Sequence, residues 1–252
     1  EGNANAFRLL AHRFKGRRDG GFVMTYSTLA SIVKYPFSSS QAGKKGKFGF
    51  FCSEKEQFER IATELGIIKL GEERYCRHPL VYLVEAADDI CYQIMDIEDG
   101  HKLKILETEE TMSLLLSFFE EDRRKHICEV MSHVADPNEK IAYLRSSAVG
   151  LLVQECAATF VAHEQEILEG RFEGSLIDSI SPLAAEGYKQ CSQVAFEKLY
   201  RAGYVVDVDL AGNRIINLLL EKLIDAVMHP ERNYSQLLLN KFPQQYDVHA
   251  PV

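Results

Sequence analysis

Apolar residues recur three and four positions apart along most of this chain, the spacing that places them on one face of an α-helix. This pattern predicts helices over residues 1–14, 25–36, 53–66, 78–98, 109–120, 122–134, 137–170, 179–203 and around 218–224. Strict alternation, which is typical of a half-buried strand, is confined to residues 204–210. The predicted fold is therefore all-α, a helical bundle around a long central helix at 78–98.

Residues that favour helix ends support these boundaries. Ser53 suits the N-cap of the helix at 53–66, and Gly66 suits its C-terminal cap. Pro79 lies in the first turn of the central helix, where proline is tolerated, and Asp136-Pro137 opens the long helix that follows.

One side of the central helix is apolar and the opposite side is acidic. On a wheel of about 100° per residue, Asp88, Tyr92 and Asp96 form a stripe, because they are spaced i, i+4 and i+8, and Glu85 lies between them. The apolar arc, which we expect to be buried, comprises Leu83, Ala87, Ile90 and Ile94.

The acidic stripe has no counter-charge on its own helix. No Lys or Arg occurs between Arg77 and Lys102, although solvated helix faces usually mix charges because opposite charges at i,i+4 stabilise a helix. Two interpretations stay open at this point. The stripe is either a water-facing edge or a site that binds a cation or another ligand.

A second candidate site is the basic loop "AGKKGKFG", which carries Lys44, Lys45 and Lys47 among glycines. Glycine lets backbone N–H groups approach an anion, and lysine supplies charge for phosphate. The loop lacks the Walker pattern, and it is open to the simpler interpretation of a solvated loop. The chain contains no His-Asp, HExxH, GxSxG or GxGxxG motif.

Composition narrows the class of protein. A net charge of −8 does not favour long-range attraction to nucleic acid, and no apolar run approaches the roughly 20 residues of a membrane span. The six cysteines are scattered without a CxxC pair, and no secretory leader opens the sequence. We therefore expect a cytoplasmic protein with reduced thiols and no membrane partner.

Four stretches together resemble one known family. They are "EGNANAFR" at 1–8, "TYSTLASIVKYP" at 25–36, "KKGKFGFFCSE" at 44–54 and "RHPLVYLVEAADDICYQIMDIEDG" at 77–100. In this order and spacing they resemble the deoxyguanosine triphosphate triphosphohydrolases of the HD-domain superfamily. The resemblance implies an HD-domain-like helical fold, present here in part. It also implies hydrolysis of a dNTP, such as dGTP, to deoxynucleoside and inorganic triphosphate.

The resemblance also implies roles for individual residues. Asp88 corresponds to a ligand of a divalent metal, for which Mg²⁺ or Mn²⁺ is suitable. Tyr92 and Asp96 correspond to residues against the sugar 3′-hydroxyl. The other positions that line the family's nucleotide site, with the lysines facing phosphates, correspond to Asn3, Lys34, Tyr35 and Lys47.

The resemblance is incomplete at one important point. In the family, the His-Asp dipeptide and an earlier histidine complete the metal site, and they precede the "EGNA" phrase. We therefore expect this chain to be an internal piece of a longer enzyme, inactive by itself and poor at binding metal.

The resemblance also suggests how the chain is organised and what it meets. Residues 1–134 are predicted to be the second half of an HD-type catalytic domain, and 135–252 a helical region for packing and oligomer assembly. The predicted partners are the dNTP substrate, further copies of the chain and, as a candidate effector, single-stranded DNA. Two alternatives to the enzyme are a catalytically inactive module that binds nucleotide or forms oligomers, and a plain helical scaffold.

Overall fold

Eleven α-helices make up most of residues 1–16, 18–243 and 246, which are the residues that the computed structural model describes. In chain order the helices are α1 (Gly2–Ala11), α2 (Tyr26–Ser31), α3 (Lys55–Glu64), α4 (Pro79–Lys102), α5 (Thr108–Leu116), α6 (Glu121–Met131), α7 (Pro137–Ala162), α8 (Glu164–Leu168), α9 (Pro182–Val194), α10 (Gly203–Met228) and α11 (Asn233–Leu239). A short antiparallel hairpin is formed by β1 (Lys69–Gly71) and β2 (Arg74–Tyr75). The predicted all-α fold is confirmed.

The two longest helices of the core begin with side-chain caps. At α4, the ring of His78 accepts a hydrogen bond from the Leu80 N–H at 3.2 Å, and Pro79 takes the first helical position. At α7, the Asp136 carboxylate accepts from the Asn138 N–H at 2.9 Å. These caps satisfy backbone N–H donors that the first turn of a helix leaves unpaired. The residues that predicted the starts of α4 and α7 therefore lie at hydrogen-bonded helix caps.

Two apolar clusters hold the helices together. The larger cluster lies between α4, α5, α7 and α9, and its members on both sides of residue 134 include Ile94 and Leu144, which are fully buried. The smaller cluster joins α1, α2 and α3, where the rings of Phe50 and Phe58 stack 4.5 Å apart. The division at residue 134 stays a prediction.

The predicted strand at 204–210 is wrong, because these residues form the first turns of α10. Alternating valine and aspartate suits a strand locally, but the segment continues into an uninterrupted helix. Each added residue of a growing helix gains a hydrogen bond without a new nucleation cost, and this outweighs a weak local strand preference.

The long helix predicted to end at Gly170 is interrupted at His163, whose backbone leaves the helical region. The chain resumes as α8 and turns at Gly170, where φ is +69°. The predicted N-cap is also displaced. Ser53 lies inside a 3₁₀ turn and donates its hydroxyl hydrogen to Glu54 at 2.8 Å, so α3 begins at Lys55.

The buried arc of α4 is rotated relative to the predicted one. Ile90 and Ile94 are buried as expected, but Leu83 is 37% exposed and Ala87 is exposed. The first half of α4 instead buries a neighbouring set of side chains: Val81, Tyr82 and Ala86. Leu83 and Ala87 therefore lie at the edge of the core.

Helix α10 differs from the other long helices because it is packed mainly against α11. It buries Ala226 and exposes apolar side chains along its length. The most exposed of these are Tyr204, Leu210, Ile215, Ile216, Ile224 and Met228. Within the described part of the chain, no helix is both long enough and apolar enough to cross a membrane.

Candidate functional site

The acidic stripe of α4 points away from the core. Asp88 is exposed, Tyr92 is 67% exposed, and Asp96 is half-buried. Asp88 and Tyr92 form no side-chain hydrogen bond or ion pair with another described residue. Asp96 accepts one hydrogen bond, from the Tyr200 hydroxyl at 2.5 Å. The stripe therefore presents polar groups that retain capacity to bind a ligand.

The counter-charge for Glu85, in the first half of α4, comes from outside the helix, whereas Lys102 in its last turn pairs with Glu98 and Asp99. Glu85, whose side chain is 9% exposed, forms an ion pair with Lys34 at 2.9 Å and a second ion pair with Arg77. Burial acts to lower the pKa of Lys34, but the hydrogen bond and charge of Glu85 outweigh it and raise that pKa. Lys34 is thus a firmly protonated cation beside the acidic helix.

Lys34 and Tyr35 line a cleft of about 670 Å³ together with Arg77, Glu85 and Asp89. Burial raises the pKa of Asp89, and the charge of Lys34 acts against that shift. A cleft of this size falls within the usual range for small-molecule sites. Two of the predicted site residues, Lys34 and Tyr35, therefore lie together in this cleft, whereas the other predicted site residues are not among its lining residues: Asn3, Lys47, Asp88, Tyr92 and Asp96.

Asn3 and Lys47 form a second pair, which is organised around Glu1. The Asn3 amide donates to one Glu1 carboxylate oxygen at 2.7 Å, and the Lys47 ammonium lies 3.5 Å from the other. The hydrogen bond from Asn3 is the main cause of the lowered pKa of Glu1. The N-terminus of α1 and the basic loop are thereby brought side by side.

A close backbone contact holds the basic loop against the segment that carries Tyr35. The Gly49 N–H donates to the Phe37 carbonyl at 3.0 Å. A Cβ atom on Gly49 would lie 2.2 Å from the Tyr35 carbonyl oxygen, so no larger residue fits there without movement. This glycine therefore couples the position of Lys47 to that of Tyr35.

Several residues of this region were missed by the sequence reasoning: Glu1, Arg77, Asp89 and Tyr200. One signal pointed to Arg77. The absence of Lys and Arg from the central helix required a counter-charge, and Arg77 is the last cation before it. The pairing of Glu85 with Lys34, some fifty positions earlier, has no local sequence signal.

The described residues do not form a metal site by themselves. No group of three or more His, Cys, Asp or Glu side chains among them is arranged to hold a metal ion. Asp88 offers a single exposed carboxylate, whereas a divalent cation needs several ligands.

Comparison with known proteins shows which proteins this chain is similar to. No family model matches it. A deoxyguanosinetriphosphate triphosphohydrolase-like protein of Pseudomonas aeruginosa is 33% identical over 245 residues, which cover 96% of the chain and 55% of that protein. This chain is a relative of the deoxyguanosinetriphosphate triphosphohydrolase-like proteins. The resemblance of its four motif stretches to that family is confirmed.

Other members of the family match over a similar span. A deoxyguanosinetriphosphate triphosphohydrolase-like protein of Synechocystis sp. is 32% identical over 260 residues, covering 98% of the chain and 57% of that protein. A deoxyguanosinetriphosphate triphosphohydrolase of Yersinia enterocolitica is 26% identical over 270 residues, covering 98% of the chain and 51% of that protein. The chain thus spans about half the length of the curated relatives that it matches.

Proposed function

We propose that the protein carrying this chain hydrolyses a deoxynucleoside triphosphate, such as dGTP or dNTPs generally, to deoxynucleoside and inorganic triphosphate. The observation that carries the proposal is on α4. This helix presents Asp88 and Tyr92 without side-chain partners among the described residues, and its Glu85 and Asp89 line the cleft of Lys34 and Tyr35. The names of the relatives support the same reaction.

Lys34 would face the phosphates in this reaction. Removing a cation from a buried carboxylate is normally costly, because the carboxylate is left unpaired. Glu85 has Arg77 as a second partner, so Lys34 can turn toward a triphosphate while Glu85 remains neutralised. Lys47, with Asn3 beside it, would supply a further contact to the nucleotide, and charge from both lysines would stabilise the departing phosphate oxygens.

Tyr92 and Asp96 would contact the deoxyribose. One oxygen of Asp96 accepts from Tyr200, and a carboxylate has capacity for further hydrogen bonds, so Asp96 can accept from the sugar 3′-hydroxyl. Tyr92, one turn earlier on the same face, would pack on the sugar edge and leave little room for a 2′-hydroxyl. Deoxyribose would then be preferred to ribose.

A divalent metal remains part of the proposal through Asp88 alone. Bound Mg²⁺ or Mn²⁺ would supply charge stabilisation and a more acidic water. Asp88 would contribute one oxygen ligand, and the ion would require further ligands that the described residues do not bring to it. The oligomeric state, an effect of single-stranded DNA and a cytoplasmic location also stay predictions.

The second candidate function is a catalytically inactive module that binds nucleotide or forms oligomers. The exposed apolar side chains of α10 favour a role in assembly, because a helix that is apolar on most sides is usually covered. This module would bind dNTPs without turning them over.

The test is an assay of the intact protein that carries this chain against dATP, dCTP, dGTP and dTTP, with and without Mg²⁺ or Mn²⁺. Products are separated by anion exchange. We expect inorganic triphosphate and deoxynucleoside in equal amounts. Release of pyrophosphate or orthophosphate instead would contradict the proposed reaction, and binding without turnover would favour the inactive module.

A further inference from the structure

Helix α9 does not end in an ordinary turn. It continues into a π-helical turn, Ala195–Leu199, and Tyr200 follows directly as the residue that closes that turn. Isolated π-helical turns cost stability and are found frequently at functional sites. In this chain the turn packs against α4, on the part of the helix that carries Asp96.

The π-helical turn brings Tyr200 into contact with the acidic stripe. The Tyr200 hydroxyl donates to Asp96 Oδ2 at 2.5 Å, across 104 residues of sequence. Among the described residues, this is the one side-chain hydrogen bond that Asp96 accepts. The other oxygen of the carboxylate, Oδ1, is therefore available to a hydroxyl group from a ligand.

A glycine on α4 permits this approach. Gly100 lies one turn after Asp96, so it continues the i, i+4, i+8 series of the stripe. A Cβ atom at Gly100 would lie 3.0 and 3.1 Å from the two terminal methyl carbons of Leu199, which is a buried side chain. Because the stripe ends in a residue without a side chain, Leu199 packs closely and Tyr200 reaches Asp96.

In the pair of Tyr200 and Asp96, the Tyr200 hydroxyl is the hydrogen-bond donor. Burial and then the neighbouring Asp96 raise the pKa of Tyr200 to about 12. The phenol thus keeps its proton at neutral pH and donates to the carboxylate. A carboxylate held by a charge-assisted hydrogen bond loses rotational freedom, so its second oxygen is preoriented.

We propose that Tyr200 is a positioning residue, which orients Asp96 to accept a hydrogen bond from the 3′-hydroxyl of a deoxynucleotide. This inference rests on the proposed function. It predicts that removing the Tyr200 hydroxyl lowers kcat/KM for substrates that carry a 3′-hydroxyl and not for substrates that lack one. If the hydrogen bond from Tyr200 to Asp96 only stabilised the packing of the π-helical turn against α4, its loss would lower kcat/KM for both kinds of substrate equally.

The experiment compares a dNTP with the matching 2′,3′-dideoxynucleoside triphosphate in the intact protein. For the wild type we expect a higher kcat/KM with the dNTP. Tyr200→Phe should lower kcat/KM for the dNTP about tenfold and leave that for the dideoxynucleotide nearly unchanged, so that the ratio of the two falls. Tyr204→Phe is the matched control, because Tyr204 is an exposed tyrosine on α10, and it should leave the ratio unchanged.

A double-mutant cycle distinguishes the loss of this hydrogen bond from a general loss of folded protein. Asp96→Asn should lower the ratio at least as much as Tyr200→Phe, and combining the two should lower it no further. A ratio that Tyr200→Phe leaves unchanged, or an equal loss for both substrates, would overturn the inference and leave the proposed function standing. A wild type that hydrolyses no dNTP would instead overturn the proposed function.

Discussion

At the scale of single residues, Glu73 shows how one carboxylate fixes a loop. Its two oxygens accept hydrogen bonds from the Ser38 and Ser40 hydroxyls and from the Lys55 ammonium, which lies at 2.5 Å. These bonds tie the hairpin to α3 and to the start of the loop that carries Lys47. They favour the ionised carboxylate, and Lys55 contributes most to lowering the pKa of Glu73 to about 2.

This lowered pKa predicts a dependence of stability on pH. The folded pKa lies below the unfolded one, so the stabilisation is complete above about pH 4.5 and is lost as the pH falls toward 2. Thermal unfolding of wild type and Glu73→Gln should show the wild type more stable at pH 6, with a difference that shrinks by pH 3. A difference that stayed constant or widened on acidification would contradict this.

Tyr92 gives a second prediction for a single residue. The side chain is 67% exposed and lacks a hydrogen-bond partner among the described residues, so Tyr92→Ala should change stability by no more than about 0.5 kcal/mol. We expect the ratio of kcat/KM for dNTP to that for the ribonucleotide to fall about tenfold, because the space for a 2′-hydroxyl opens.

The matched control is Tyr234→Ala, which removes a tyrosine of similar exposure on α11. It should leave the deoxy/ribo ratio unchanged. An unchanged ratio in Tyr92→Ala would contradict the role of Tyr92 in sugar selection.

At this scale the sequence predicted the stripe but not its partners. The i, i+4, i+8 spacing of Asp88, Tyr92 and Asp96 follows from helix geometry alone. The contacts from Lys34 and Tyr200 depend on how distant segments pack, and no local pattern encodes them.

At the scale of elements, the basic loop is held by the contact between Gly49 and the Tyr35 carbonyl. Gly49→Ala would place a methyl group 2.2 Å from that oxygen and 2.5 Å from a Val33 methyl carbon. We expect a loss of about 3 kcal/mol in the free energy of unfolding, because the backbone must move. We also expect weaker nucleotide binding, because Lys47 lies two residues earlier.

The control for this loop is Gly43→Ala, where a Cβ atom meets nothing within 4 Å. Gly43→Ala should leave the free energy of unfolding unchanged in chemical denaturation, and it should leave the affinity for nucleotide unchanged in a titration. Equal stability of Gly49→Ala and Gly43→Ala would show that the loop does not depend on the close contact.

The elements were predictable to the extent that periodicity and end signals agreed. Helix α4 combines a long apolar pattern with Pro79 in its first turn, and its prediction was confirmed. The hairpin of β1 and β2 was missed because strands of three and two residues are too short to show alternation. Residues 204–210 showed alternation but belong to α10, because helix formation is cooperative over a much longer segment.

At the scale of the whole molecule, two surfaces of the helical assembly differ in character. Around α4, acidic and basic side chains converge on one cleft. Helix α10 instead presents apolar side chains on most of its surface, which is unusual for a helix in contact with water. The prediction of a homo-oligomer is consistent with this surface and stays a prediction.

The central claim is that α4 supplies catalytic contacts for hydrolysis of a deoxynucleoside triphosphate. The most direct measurement is release of inorganic triphosphate from dGTP by the intact protein, its Asp88→Asn variant and an Asp122→Asn control. Asp122 is fully exposed on α6 and belongs neither to the α4 stripe nor to the lining of the cleft.

We predict that the wild type and the Asp122→Asn control release triphosphate at similar rates and that Asp88→Asn is slower by about a hundredfold, with unchanged thermal stability. A wild type that releases no triphosphate, or an Asp88→Asn variant as fast as the control, would contradict the account.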